Sequence, residues 1–123
     1  MLMRPEQFLT YLKELLPTAR TFAETGEKKY PFGMVIPRPS GEDRWQVIGQ
    51  LSPAEKHDTP APATTGTPTE GPPPPDTAPA PAWLAATLTA AAHPEIAAIT
   101  VWPTTPGLTI DYHNGAKTFV RAL

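Results

Sequence analysis

Cysteine is missing from all 123 residues, which excludes disulfide staples and thiolate metal sites. No apolar run approaches the roughly 20 residues a membrane helix needs. The opening Met-Leu-Met-Arg-Pro turns polar before it can form the apolar centre of a signal peptide. The expectation is therefore a protein without membrane contact, in a cytoplasm, or in a virion if phage-encoded. Phosphate-cradling, dinucleotide-binding, nucleophile-elbow and HExxH motifs are all lacking, so neither an enzyme nor a cofactor is expected. Histidine is scarce too: His57, His93 and His113 fall in a linker, at a helix end and at a turn. Zinc needs three or four rigidly held ligands, and no metal site is expected. Nor is there an excess of one charge. Ten basic residues face twelve acidic ones, for a net charge of −2.

Proline, by contrast, is abundant. Of eighteen prolines, ten lie in residues 53–82, which contain no Ile, Leu, Val, Met, Phe, Tyr or Trp. Such a stretch cannot bury enough apolar surface to offset the entropy lost on ordering. It reads as a disordered Pro/Thr/Ala-rich linker, with Pro72 to Pro75 sampling polyproline II. A proline-motif ligand is a weaker reading, because no basic residue flanks that run. The Ala, Pro, Thr and Gly usage hints at a high-GC bacterium or one of its mobile elements.

Residues 1–52 open with a helix signal. Pro5 suits a first turn and Glu6 complements the dipole. Phe8, Leu9, Leu12, Leu15 and Leu16 form a stripe that Pro17 should end or kink. Ala19, Phe22 and Ala23 continue it as a short second helix stopping at Gly26. Strands are predicted over Phe32 to Ile36 and over Arg44 to Leu51, where Trp45, Val47 and Leu51 share a face. A turn separates them. Residues 83–123 repeat the scheme, with a helix from Pro81 through Trp83, Leu84 and Leu88 to His93, closed by Pro94. Strands follow over Ala97 to Trp102, Leu108 to His113 and Ala116 to Ala122. Asn114-Gly115 reads as a two-residue hairpin turn. That turn sets Ile110 opposite Phe119 and Tyr112 opposite Lys117, with Leu108, Ile110, Tyr112 and Phe119 on one buried face.

The chain is thus expected to be α+β: an α-β-β lobe over 1–52, a linker over 53–82, and an α-β-β-β lobe over 83–123. A spaced valine, proline and glycine recur as Val35, Pro37, Gly41 and as Val101, Pro103, Gly107. This hints at a pseudo-repeat forming one sheet. Either lobe, without disulfide or metal, is near or below the size of about 40–60 residues at which a core sustains itself. Each should be covered by its neighbour on the chain, by a second copy or by another protein. The expected contact is through Leu12, Leu15, Phe22, Trp45, Val47, Leu88, Ile99, Val101, Ile110 and Phe119.

Reactive residue types cluster only at Asp111-Tyr112-His113-Asn114. Asp111 and His113 on one strand face could serve acid–base chemistry, but a polar outer face leading into a turn explains them as well. Arg20, Lys28, Lys29, Tyr30, Arg38 and Arg44, with Phe32 and Trp45, interleave cations and aromatics as a nucleic-acid surface does. Glu24, Glu27, Glu42 and Asp43 oppose those cations. For protein contacts the candidates are Trp45, Trp83, Trp102 and Tyr112, since exposed aromatics anchor interfaces. The leading expectation is a small non-catalytic adaptor or assembly protein with a protein partner or a second copy. The alternative is a nucleic-acid-binding accessory protein.

Overall fold

A computed structural model describes residues 4–26, 32–39, 41–50, 64–75 and 77–123. Lys28, Lys29, Tyr30, Leu51 and residues 53–63 of the linker lie outside the described residues. The elements run α1 (Pro5–Leu15), β1 (Arg20–Thr21), α2 (Phe22–Thr25), β2 (Gly33–Arg38), β3 (Gly41–Gln50), α3 (Ala80–Ala91), β4 (Ile96–Val101), β5 (Gly107–Tyr112) and β6 (Lys117–Ala122). Among the described residues the strands form one six-stranded sheet, in the order β1-β2-β3-β6-β5-β4, with every pairing antiparallel.

Local chemistry sets the helices. Pro5 occupies the first turn of α1, and Gln7 Oε1 accepts from the Arg4 N–H at 3.3 Å, satisfying one orphan donor. Phe8, Leu9 and Leu12 are buried as one stripe. Thr21 and Glu24 cap α2 reciprocally, and Gly26 ends it at φ +82°. The short second helix therefore forms, but only from Phe22, because Arg20 and Thr21 pair with β2 as a strand. α3 begins within its proline pair and stops at Ala92, whose φ is +54°.

The two halves meet along β3 and β6, from Trp45 opposite Ala122 to Gln50 opposite Lys117. Their registers are related by a pseudo-twofold axis through the Gln46–Arg121 pair. Gly33 pairs with Gln46 as Gly107 pairs with Arg121. The Phe32 carbonyl accepts from Val47 N at 3.0 Å as the Pro106 carbonyl accepts from Ala122 N at 3.1 Å. Each half is a helix followed by three strands, with α2 inserted between β1 and β2 in the first. The axis matches Gly33 with Gly107, so the valine–proline–glycine echo is not the structural repeat; Val35 corresponds to Thr109.

Phe8, Leu12, Leu84 and Leu88 from α1 and α3 share one core with Met34, Ile36, Trp45, Val47, Leu108, Ile110 and Val120. Both helices thus cover the same side of the sheet, and the strands alternate toward and away from it. Of the expected contacts, Leu12, Trp45, Val47, Leu88 and Ile110 lie in this core, and Leu15 and Ile99 pack at its margin. Three do not. Phe22 is buried on the opposite side of the sheet, Phe119 is half-buried there, and Val101 is 42% exposed at an edge.

Phe119 moves because the hairpin loop is one residue longer than expected. Gly115 N donates to Tyr112 O, Gly115 adopts φ +91°, and Asn114 Oδ1 accepts from Ala116 N. This is a turn plus a glycine bulge rather than a two-residue turn. The register becomes Ile110 opposite Thr118 and Asp111 opposite Lys117. A one-residue shift sends Phe119 to the other face and Thr118 into the core.

The described end of the linker, residues 64–75, has no regular secondary structure and lies along α3 and the β5–β6 loop. Gly66 N donates to Pro94 O at 2.9 Å, and Thr69 Oγ1 donates to Thr89 O at 3.2 Å.

Candidate functional site

Among the described residues, one side of the sheet is roofed by α1 and α3, and the other is open except where α2 and the Trp102 ring lie over it. Alternation and register place Arg20, Arg44, Gln46, Ile48, Phe119 and Arg121 on this open side. Leu123 extends the row, its N–H donating to Arg44 O at 2.9 Å. Ile48 is 44% and Leu123 46% exposed, and the axis makes them equivalent positions. At the centre Arg121 Nη2 donates to Gln46 Oε1 at 2.6 Å. Lys117 is bonded to Asp111 farther along.

Two aromatic rings are bedded on this side. Phe22 lies over Gly33 and Trp102 over Gly107, so that a Cβ added to either glycine would meet ring carbons at 2.3 and 2.4 Å. Arg44 stacks on the Phe22 ring at 5.0 Å, and Trp102 Nε1 donates to Thr109 Oγ1 at 2.7 Å. Between α2 and the sheet runs a cleft of about 760 Å³ bordered by Arg20, Glu24, Val35, Glu42 and Arg44.

The acidic residues expected to cancel these cations are partly engaged elsewhere. Glu24 binds Lys13 at 2.7 Å, and the Lys13 ammonium holds its carboxyl below the usual carboxylate range, aided by the Thr21 N–H. Asp43 points to the helix side, where it accepts from Arg38 at 3.1 Å. Among the described residues the strands thus carry Arg20, Arg44, Arg121 and Lys117 on the open side against Glu42 and Asp111, an excess of positive charge.

Arg38 belongs to the interior rather than to a phosphate-binding surface. Its guanidinium donates to Asp43 and, at 2.7 Å, to the Ala78 carbonyl, and it lies 4.8 Å from the centre of the Trp83 ring. It pins the first half's hairpin to the entrance of α3. Tyr112 holds the equivalent place in the second half. Its hydroxyl shares a 2.7 Å hydrogen bond with buried Thr118, and burial pushes that hydroxyl above its usual range. Arg38→Met should cost about 1–3 kcal/mol, because Asp43 and the Ala78 carbonyl lose a forked donor. Arg38→Lys should recover less than half of that, lacking the fork. Urea unfolding reads both.

Of the aromatic candidates, Trp45 and Tyr112 are buried in the core and Trp83 packs at its margin beneath Arg38. These three therefore lie on the helix side of the sheet, whereas Trp102 is half-buried on the open side. Asp111 and His113 are not brought together. Asp111 binds Lys117, whereas His113 Nε2 contacts the Thr67 carbonyl at 3.2 Å. His93 stands edge-on to Tyr11 and 3.6 Å from buried Glu95. Among the described residues no cluster of acidic and histidine side chains could hold a metal ion, and no helix is long and apolar enough to cross a membrane.

Sequence reasoning missed Arg121, Gln46, Ile48 and Leu123, which only the β3–β6 pairing assembles. It also missed the ring-on-glycine beds, in which Phe22 and Trp102 lie over the glycines that open β2 and β5. No family model, curated protein or solved structure matches the chain.

Proposed function

We propose that this is a small non-catalytic adaptor or assembly protein whose open sheet side receives an acidic, apolar-bearing segment of another protein. The observation that carries the reading is the grouping of Arg20, Arg44 and Arg121 with exposed Ile48 and Leu123 on the side of the sheet that, among the described residues, α1 and α3 leave open. Exposed apolar anchors ringed by cations suit a partner of opposite charge. A second copy placed face to face would set arginines against arginines. Non-catalytic action is supported by the engagement of the reactive groups, since Asp111 and His113 each bond elsewhere.

The need for an outside partner no longer rests on incomplete halves, because β3 and β6 let each half complete the other. It rests on this surface. A photo-crosslinker at Ile48 in the full chain, used in extract of the native cell, should capture a protein through an acidic segment. The same group at Glu14, on the helix layer, should not. Arg121→Glu should reduce capture at least about tenfold through reversed charge. Equal capture from both sides, or none from Ile48, would sink the reading.

A second reading, binding of nucleic acid, draws on the three arginines with half-buried Phe119 and Trp102. It ranks below because the exposed apolar side chains beside them, Ile48 and Leu123, are aliphatic and cannot stack bases, and Phe22 is buried. Single-stranded oligonucleotide bound at low salt, with affinity falling steeply as salt rises, would reverse that order.

A further inference from the structure

The two edges of the sheet have diverged between the halves. The first ends in β1, a two-residue strand that carries Arg20 and is followed directly by α2. Short, charged and covered edges resist pairing with other chains. The second edge, β4, has six residues of sequence Ile-Ala-Ala-Ile-Thr-Val, without charge or proline. Ala97, Ala98, Thr100 and Val101 are all exposed, so neither α3 nor the described linker residues cover them.

The ladder shows which groups this edge offers. Trp102 N donates to Gly107 O at 2.9 Å, and Thr100 stands opposite Thr109. In an antiparallel ladder bonded and non-bonded pairs alternate. Thr100 therefore bonds inward to β5, and the N–H and C=O of Ile99 and Val101 point out from the edge. We propose that β4 is a strand-addition site for a second copy of this chain, pairing antiparallel with its own β4 about a twofold axis at Thr100.

That register places Ile99 of each copy opposite Val101 of the other, so both outward-pointing pairs of N–H and C=O groups are met. It covers Val101, which is otherwise 42% exposed. Thr100 meets its counterpart at a close, non-hydrogen-bonded position, where threonine pairs are favourable. Ala98, small and exposed, falls opposite the partner's Trp102 and leaves room for it. A copy is favoured over a foreign strand for two reasons. A twofold contact is self-complementary, and β4 has no charge that would repel itself. Its alanines, threonine and valine also form no pocket with which to select another sequence. This interface is separate from the open-side surface proposed above, and either can fail without the other.

The absence of native cysteine makes the test direct. Thr100→Cys in the full chain should form a disulfide-linked dimer under mild oxidation. Its Cα atoms would lie at a spacing that a disulfide spans. Crosslinking should be about tenfold or more faster than for Thr10→Cys, an exposed site on α1, because docking raises the effective concentration. Light scattering of the unmodified chain should give twice the monomer mass at high concentration. Thr100→Glu, which sets like charges face to face, should return it to the monomer with an unchanged circular dichroism spectrum. A chain that stays monomeric while both cysteine variants crosslink at the same rate overturns the proposal. So does a dimer that Thr100→Glu leaves intact.

Discussion

Gly107→Ala should lower stability by about 3 kcal/mol or more, an effect large for one methyl group. The added Cβ would lie 2.4 Å from the Trp102 ring and 2.8 Å from the Val120 carbonyl oxygen. The ring could swing away at the cost of its bond to Thr109. The carbonyl cannot, because it belongs to the sheet backbone of β6. Relief then requires prising β5 from β6, beside the seam that joins the halves, and overpacking of this kind commonly costs 1–3 kcal/mol even where side chains give. Gly33→Ala should behave alike, since its Cβ would meet Phe22 at 2.3 Å and the Trp45 carbonyl oxygen at 2.8 Å. For a chain of this size each kcal/mol lowers the melting temperature by roughly 3–6 °C. Trp102→Ala combined with Gly107→Ala separates the two clashes. If the double variant regains full stability relative to Trp102→Ala alone, the ring is the whole obstacle and the backbone argument is wrong.

The same pair of glycines shows how far the sequence could be read. Elements whose apolar residues repeat locally were legible. Phe8, Leu9 and Leu12 recur at helical spacing in α1, and Trp45 and Val47 alternate in β3. The two-lobe α+β plan followed from these and from the linker composition. Features set by partners distant in the chain were not legible. β1 has two residues, too few to carry a periodic signal, and it is a strand only because Val35 and Met34 stand beside it. Phe22 continues the apolar spacing of α1 and so reads as helix stripe, yet its ring crosses to the other side of the sheet to lie on Gly33. Asn114-Gly115 marks a hairpin, but dipeptide chemistry does not decide between a two-residue turn and a turn with a bulge. That single choice reverses Phe119 and Thr118.

The candidate surface was half legible for the same reason. Arg20 and Arg44 could be suspected from one stretch of sequence, but Arg121, Ile48 and Leu123 join them through the β3–β6 pairing alone. Charge cancellation by Glu24 and Asp43 was likewise a one-dimensional inference. In space Lys13 holds the first and Arg38 draws the second to the helix side.

Leu12→Ala and Leu88→Ala should each cost about 2–5 kcal/mol, and both should shift one and the same unfolding transition. The two leucines lie in different halves, on α1 and α3, with the linker between them, and both are fully buried in the shared core. If each half held its own core, loosening α1 would lower one transition and leave the other in place. Because Trp45, Val47 and Val120 sit along the seam beneath both helices, removing three carbons from either should weaken the other. Hydrogen exchange by mass spectrometry can follow β2 and β5 separately in each variant. The expected result is an equal loss of protection in both strands, through cooperative opening. A variant in which β2 loses protection while β5 keeps it would mean that the halves fold independently. The β3–β6 pairing would then be a contact between two bodies rather than the middle of one.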